Sequence, residues 1–151
     1  MGGTIVCGVN DTSEGRSAAQ LAAALGERLG LRLVLAHVVD VPLASTESLG
    51  ARQEQSGGER VLAEVARDVG GAECRVVLGP RAERLAWVAA EEGADLIVLG
   101  SRRRGLRGGS LGCSLARELE AATPAPVVVA PPQTRKRSDR RLAATGVSVA
   151  R

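Results

Sequence analysis

Residues 95–114 read DLIVLGSRRRGLRGGSLGCS and contain the residue types that an anion-binding loop needs. The apolar run 96–99 reads as a buried strand that stops at Gly100. A loop follows with four arginines (Arg102, Arg103, Arg104 and Arg107) and three further glycines (Gly105, Gly108 and Gly109) before a periodic apolar stretch begins at Leu111. Glycines let the backbone approach a phosphate, and a helix N-terminus presents free N–H groups and a partial positive charge. Backbone N–H groups of residues 108–114 and the arginine forks would then hold the oxygens. A plain glycine-rich turn between strand and helix looks the same, so both readings stay open on this segment alone.

Other familiar α/β chemistries lack residues they require. A Walker A loop needs Gly-Lys-Ser/Thr, but the only lysine is Lys136, near the C-terminus. A dinucleotide fingerprint needs G-x-G-x-x-G after the first strand, where this chain has GVNDTSEG from Gly8 to Gly15. A phospho-receiver domain needs an aspartate ending the third strand, which here ends Leu78-Gly79, and a lysine ending the fifth. Serine hydrolysis needs a base and a G-x-S-x-G elbow; the sole histidine, His37, sits inside an apolar run and is expected to be buried and satisfied. No residue is placed to activate water, so any nucleotide hydrolysis should be slow. Cys7, Cys74 and Cys113 are widely spaced and odd in number, which fits reduced thiols in the cytoplasm better than disulfides or a metal knuckle. Cys7 reads as an inert core residue.

Five short apolar runs without polar alternation must position this chemistry: 5–9, 33–39, 75–78, 96–99 and 127–130. Such runs are strands covered on both faces. Helical stripes lie between them. Ala18, Leu21, Ala22, Leu25 and Leu29 form the first, with Gly30 as its stop; Val61, Leu62, Val65 and Val69 form the second, ending at Gly70-Gly71. Pro80 suits the first turn of a third helix carrying Leu85, Val88 and Ala89, with Gly93 after it; Leu111, Leu115 and Leu119 form a fourth that Thr123-Pro124 closes. Alternating βα units with short connections predict one α/β domain with a mainly parallel sheet and right-handed crossovers. Residues 41–57 are polar and read as a long loop, and Trp87 reads as half-buried core.

Charge divides the chain. Residues 133–151 hold six basic residues against Asp139, whereas the first 132 carry 14 basic and 16 acidic side chains. The division predicts a folded domain over 1–132 and a basic, disordered tail over 133–151, with a short edge strand conceivable at 147–149. There is no Phe or Tyr and one Trp, so stacking of single-stranded nucleic acid on aromatic side chains is not on offer. No apolar run approaches the ~20 residues of a membrane span, and the N-terminus lacks a signal-peptide pattern.

The combination resembles the universal stress protein family over residues 3–132. IVCGVNDTSEGRSAAQLAAALGERLGLRLVLAHVVD (5–40) is similar to that family's opening, in which the first strand ends in an acidic residue and the second in a His-Val pair. VVLGPRAERLAWVAAEEGADLIVLGSR (76–102) resembles its third strand, third helix and fourth strand, and GLRGGSLGCSLARELEAATPAPVVVAPP (105–132) its phosphate loop, last helix and last strand. The resemblance implies a Rossmann-like fold: a five-stranded parallel sheet of order 3-2-1-4-5 flanked by helices, commonly as a homodimer. It implies ATP, ADP or AMP as ligand, with or without Mg, through a G-x2-G-x9-G-[Ser/Thr] motif. The first glycine of that motif falls on Gly100, the second on Arg103 or, with a gap, on Gly105, the third on Gly112, and the hydroxyl position on Cys113. Gly100 to Gly112 is 12 steps where the motif has 13. The family's ribose-side aspartate is matched by Asn10, and the valine whose backbone meets adenine by Val38. Asn10 keeps hydrogen bonding but brings no charge for a metal. Cys113 is a poor hydroxyl substitute that Ser114 or Ser110 could offset, and Arg103 either clamps a phosphate or blocks backbone approach.

The expected site therefore comprises Gly8, Val9, Asn10, Val38, Gly100, Arg102, Arg103, Gly105, Gly108, Gly109, Gly112, Cys113 and Ser114, with no catalytic or metal-binding residue. The expected function is an adenine-nucleotide-binding stress sensor or adaptor without fast turnover. Its rival is a dimeric interaction module of the same fold with a degenerate pocket. The expected dimer contact is the apolar last strand, Val127, Val128 and Val129, whose edge needs covering. A nucleic-acid binder working through the tail is the weaker third reading.

Overall fold

The structure is a computed structural model and describes residues 2–101 and 111–131, for residues 111–113 the backbone only. The elements run β1 (Thr4–Gly8), α1 (Ser13–Leu29), β2 (Arg32–Val39), a 3-10 turn (Leu43–Ser45), α2 (Leu49–Asp68), β3 (Glu73–Leu78), α3 (Arg81–Glu91), β4 (Ala94–Gly100), α4 (Leu111–Ala122) and β5 (Val127–Ala130). All strand pairs are parallel, and their order is β3-β2-β1-β4-β5, as the resemblance implies.

Period-two alternation explains why the strand runs are apolar without relief. Ile5 and Cys7 of β1, Leu35 of β2 and Val98 of β4 join Ala18, Ala19, Ala22, Leu62 and Val65 in a core under α1 and α2. Val6, Val34, Ala36, Ile97 and Leu99 point the other way, into a second core with Leu85, Val88, Ala89 and Leu119 of α3 and α4. β3 departs from the expectation of cover on both faces, since Val77 is its only buried residue. It is an edge strand whose Val76 packs on the α1/α2 side and whose Val77 packs with the α3/α4 core.

The stop signals act as expected. Gly30 caps α1 in the left-handed region at φ +67°, where its N–H donates to the Gly26 carbonyl. Three local expectations need correction. Residues 41–57 are not a loop: after the 3-10 turn, Ser48 caps α2 by accepting from the Ala51 N–H at 3.1 Å, and helix runs from Leu49. Its early buried positions, Ala51 and Gly58, are too small to register as an apolar stripe. Pro80 stands as the cap residue before α3 rather than inside its first turn. Trp87 is not core either: it is 39% exposed, its ring covered by the guanidinium groups of Arg75 at 5.2 Å and Arg84 at 4.4 Å. No helix among the described residues is long and apolar enough to cross a membrane.

Candidate functional site

Parallel strands bring their C-terminal ends to one side of the sheet, and a crevice opens where neighbouring strands send their connections to opposite faces. Here that point lies between β1, which leads into α1, and β4. A cleft of about 970 Å³ occupies it, lined among others by Gly8, Val9, Asn10, His37, Val38, Gly100, Ser101 and Ser114.

The floor is built from backbone held close. A Cβ on Gly100 would lie 2.7 Å from the Glu14 carbonyl oxygen, so the end of β4 meets the first turn of α1 at a distance only glycine tolerates. Val9, one residue past β1, has both backbone groups tied to β2. Its N–H donates to the Ala36 carbonyl at 2.8 Å, and its carbonyl accepts from His37 Nδ1 at 2.8 Å. Next to it, Asn10 Oδ1 accepts from the Thr12 hydroxyl at 2.6 Å, and the Thr12 oxygen accepts from the Gly15 N–H at 3.1 Å, capping α1. His37 is hydrogen-bonded as expected, but half-buried rather than buried.

Two features of the lining bear on what could bind. Ser101 follows Gly100; its N–H donates to the Ala130 carbonyl at 3.3 Å, and its buried hydroxyl has no hydrogen-bond partner among the described residues. The described lining also holds four carboxylates, Glu14, Asp40, Glu83 and Glu118, with Arg81 set 3.5 Å from Asp40. No group of three or more His, Cys, Asp or Glu among the described residues could hold a metal ion.

Six of the residues expected from sequence therefore line one cleft: Gly8, Val9, Asn10, Val38, Gly100 and Ser114. Gly112 and Cys113 fall in the first turn of α4. Arg102, Arg103, Gly105, Gly108 and Gly109 lie outside the described residues. Sequence reasoning missed Thr12, Glu14, Asp40, Arg81, Glu83, Ser101 and Glu118. Thr12 was readable as a helix cap, and Glu118 as one turn beyond Ser114; Asp40 and Arg81 meet only because β2 and α3 do.

The family model described as "Universal stress protein family" matches residues 1–131. The chain belongs to the universal stress protein family. Solved structures of the family share its fold. One from Burkholderia pseudomallei is 25% identical with a TM-score of 0.64, covering 85% of this chain and 96% of its own. A universal stress protein from Archaeoglobus fulgidus in complex with dAMP is 20% identical with a TM-score of 0.60, covering 85% and 98%. A universal stress protein in complex with cAMP is 18% identical with a TM-score of 0.67, covering 87% and 98%. No curated protein matches this chain. The reading of Cys7 as an inert core thiol agrees with the structure: burial pushes its pKa up to about 12.

Proposed function

We propose that the β1/β4 cleft binds an adenine nucleotide and that the protein acts in the cytoplasm as a stress sensor or adaptor, with at most slow ATP hydrolysis. The observation that carries this reading is the cleft itself. It sits at a strand switch point, has a glycine floor against a helix start, and contains a buried hydroxyl with no partner among the described residues. The dAMP and cAMP complexes of its relatives support the same ligand class. In this reading Val38 backbone meets the adenine, Asn10 the ribose hydroxyls, and Gly112, Ser101, Arg102 and Arg103 the phosphates.

The carboxylates of the lining favour base and ribose over phosphate charge. A polyphosphate therefore relies on the arginines of residues 102–107 or on Mg²⁺ carried in by the nucleotide. Calorimetry with ATP, ADP and AMP, with and without Mg²⁺, tests the reading. Binding should weaken at least about tenfold in Gly112→Asp, which adds bulk and negative charge beside the phosphates. Absence of heat and of thermal shift at millimolar nucleotide would reject it.

A second reading keeps the fold and drops the ligand: a dimeric interaction module with a degenerate pocket. The acidic lining and the glycine spacing of 12 rather than 13 steps favour it. Both readings place a homodimer contact on β5, an edge of the sheet where Val127 and Val128 are half-buried and Val129 is 42% exposed. Val128→Lys should halve the mass in light scattering, and an unchanged mass would move the interface elsewhere.

A further inference from the structure

We propose that His37 is a positioning residue for the cleft, setting nucleotide affinity by holding the Val9–Asn10 turn in its binding shape. This rests on the nucleotide reading above. The imidazole lies on β2, and a carbonyl can only accept, so Nδ1 carries the proton donated to Val9. Val9 is thereby held by two β2 residues, and the residue after it is the one expected beside the ribose. From the other side the turn is held by the Thr12 cap of α1. Without the imidazole, the carbonyl of buried Val9 loses its partner, and the peptide leading to Asn10 becomes free to turn.

Helix α2 gives independent support. Gly58 is buried in its interior, a place where glycine weakens a helix. A Cβ there would fall 2.4 Å from His37 Cδ2 and 3.0 Å from Nε2. The helix therefore packs its bare backbone on the ring, and a methyl group would push the ring off the Val9 carbonyl. His37 thus connects three elements, α2, β2 and the β1–α1 turn, at the edge of the cleft.

Two measurements on the full chain test this. His37 is the only histidine, so long-range ¹H–¹⁵N spectra report its tautomer without ambiguity. Protonation at Nδ1 at neutral pH is expected, and protonation at Nε2 alone would overturn the proposal. ATP titrations then compare variants. His37→Leu should bind at least about tenfold more weakly, whereas His37→Asn, whose amide can donate in place of Nδ1, should stay within about threefold of wild type. Gly58→Ala should weaken binding about fivefold although alanine is the better helix former, and it serves as the test variant if His37→Leu does not fold. Wild-type affinity in both His37→Leu and Gly58→Ala, with ATP bound by the wild type, overturns this proposal alone. No binding by the wild type overturns the nucleotide reading, and this proposal with it.

Discussion

The two ends of the sheet are built from the same strands and finished in opposite ways. At the N-terminal end, Arg32 bridges Glu73 and, at 2.7 Å, Glu92, while Arg75 bridges Glu92 at 2.8 Å and Glu91 at 2.9 Å. Asp95 accepts from the Thr4 N–H at 2.8 Å beside them. Hydrogen bonds from Arg32 and then Arg75 hold the Glu92 carboxyl below the ordinary carboxylate range, against a smaller opposing effect of burial. At the C-terminal end the described lining shows an ion pair between Arg81 and Asp40, a serine hydroxyl with no partner among the described residues, and backbones packed to glycine distance. One end has its charges paired and serves cohesion. The other keeps open space. In a parallel sheet this asymmetry is physically natural, because helix N-termini and strand C-termini gather at the same end.

The largest effect should come from filling the reserved space. Gly100→Val drives side-chain carbon into the Glu14 carbonyl; it should cost roughly 2 kcal/mol, about 6 °C in Tm, and abolish nucleotide binding. Calorimetric unfolding and ATP titration check both; a stable variant that still binds would break the contrast. At the opposite end, Glu92→Gln should lower Tm by about 3 °C with nucleotide affinity unchanged. The sign with pH follows from the direction of the shift. A lowered folded pKa contributes stability that is complete above the ordinary carboxylate range and lost as pH falls through the lowered value. Wild-type and Glu92→Gln melting curves should therefore converge in acid; a gap that persists at low pH would mean the loss was not electrostatic. The smallest effect tests the sheet between the two ends. Cys7 lies buried on β1 with its pKa near 12, while Cys74 is exposed. At pH 8 mass-mapped alkylation should label Cys74 at least about tenfold faster, since the thiolate is the reactive form and Cys7 is shielded as well. Equal rates would mean that the middle of the sheet opens to solvent.

Most of the fold could be read from residues whose effects are local or periodic. The apolar runs of β1, β2 and β4, lacking polar alternation, required a sheet covered on both faces at its centre, and Gly30, Gly70-Gly71, Gly93 and Thr123-Pro124 marked where helices had to end. The resemblance added the strand order. Local reading failed where burial is achieved by small residues: Ala51 and Gly58 carry the hidden face of α2 with too little apolar surface to show a stripe. It failed again at Trp87, because helical spacing cannot tell a ring in the core from one covered by two guanidinium groups.

For the site, the family resemblance supplied Asn10, Val38 and Gly100, with Gly8, Val9 and Ser114 as chain neighbours of matched positions. Only the tertiary structure decided what those positions must satisfy. Asp40 faces Arg81 because β2 ends and α3 begins at the same mouth, and His37 reaches the Val9 carbonyl because β2 lies beside β1. The buried Ser101 hydroxyl and the slot that Gly58 leaves for an imidazole are properties of contact rather than of residue type. Periodicity and turn chemistry act over a few residues and are written along the chain. Hydrogen-bond satisfaction and steric room depend on residues tens of positions apart, and they acquire values only when folding brings those residues together.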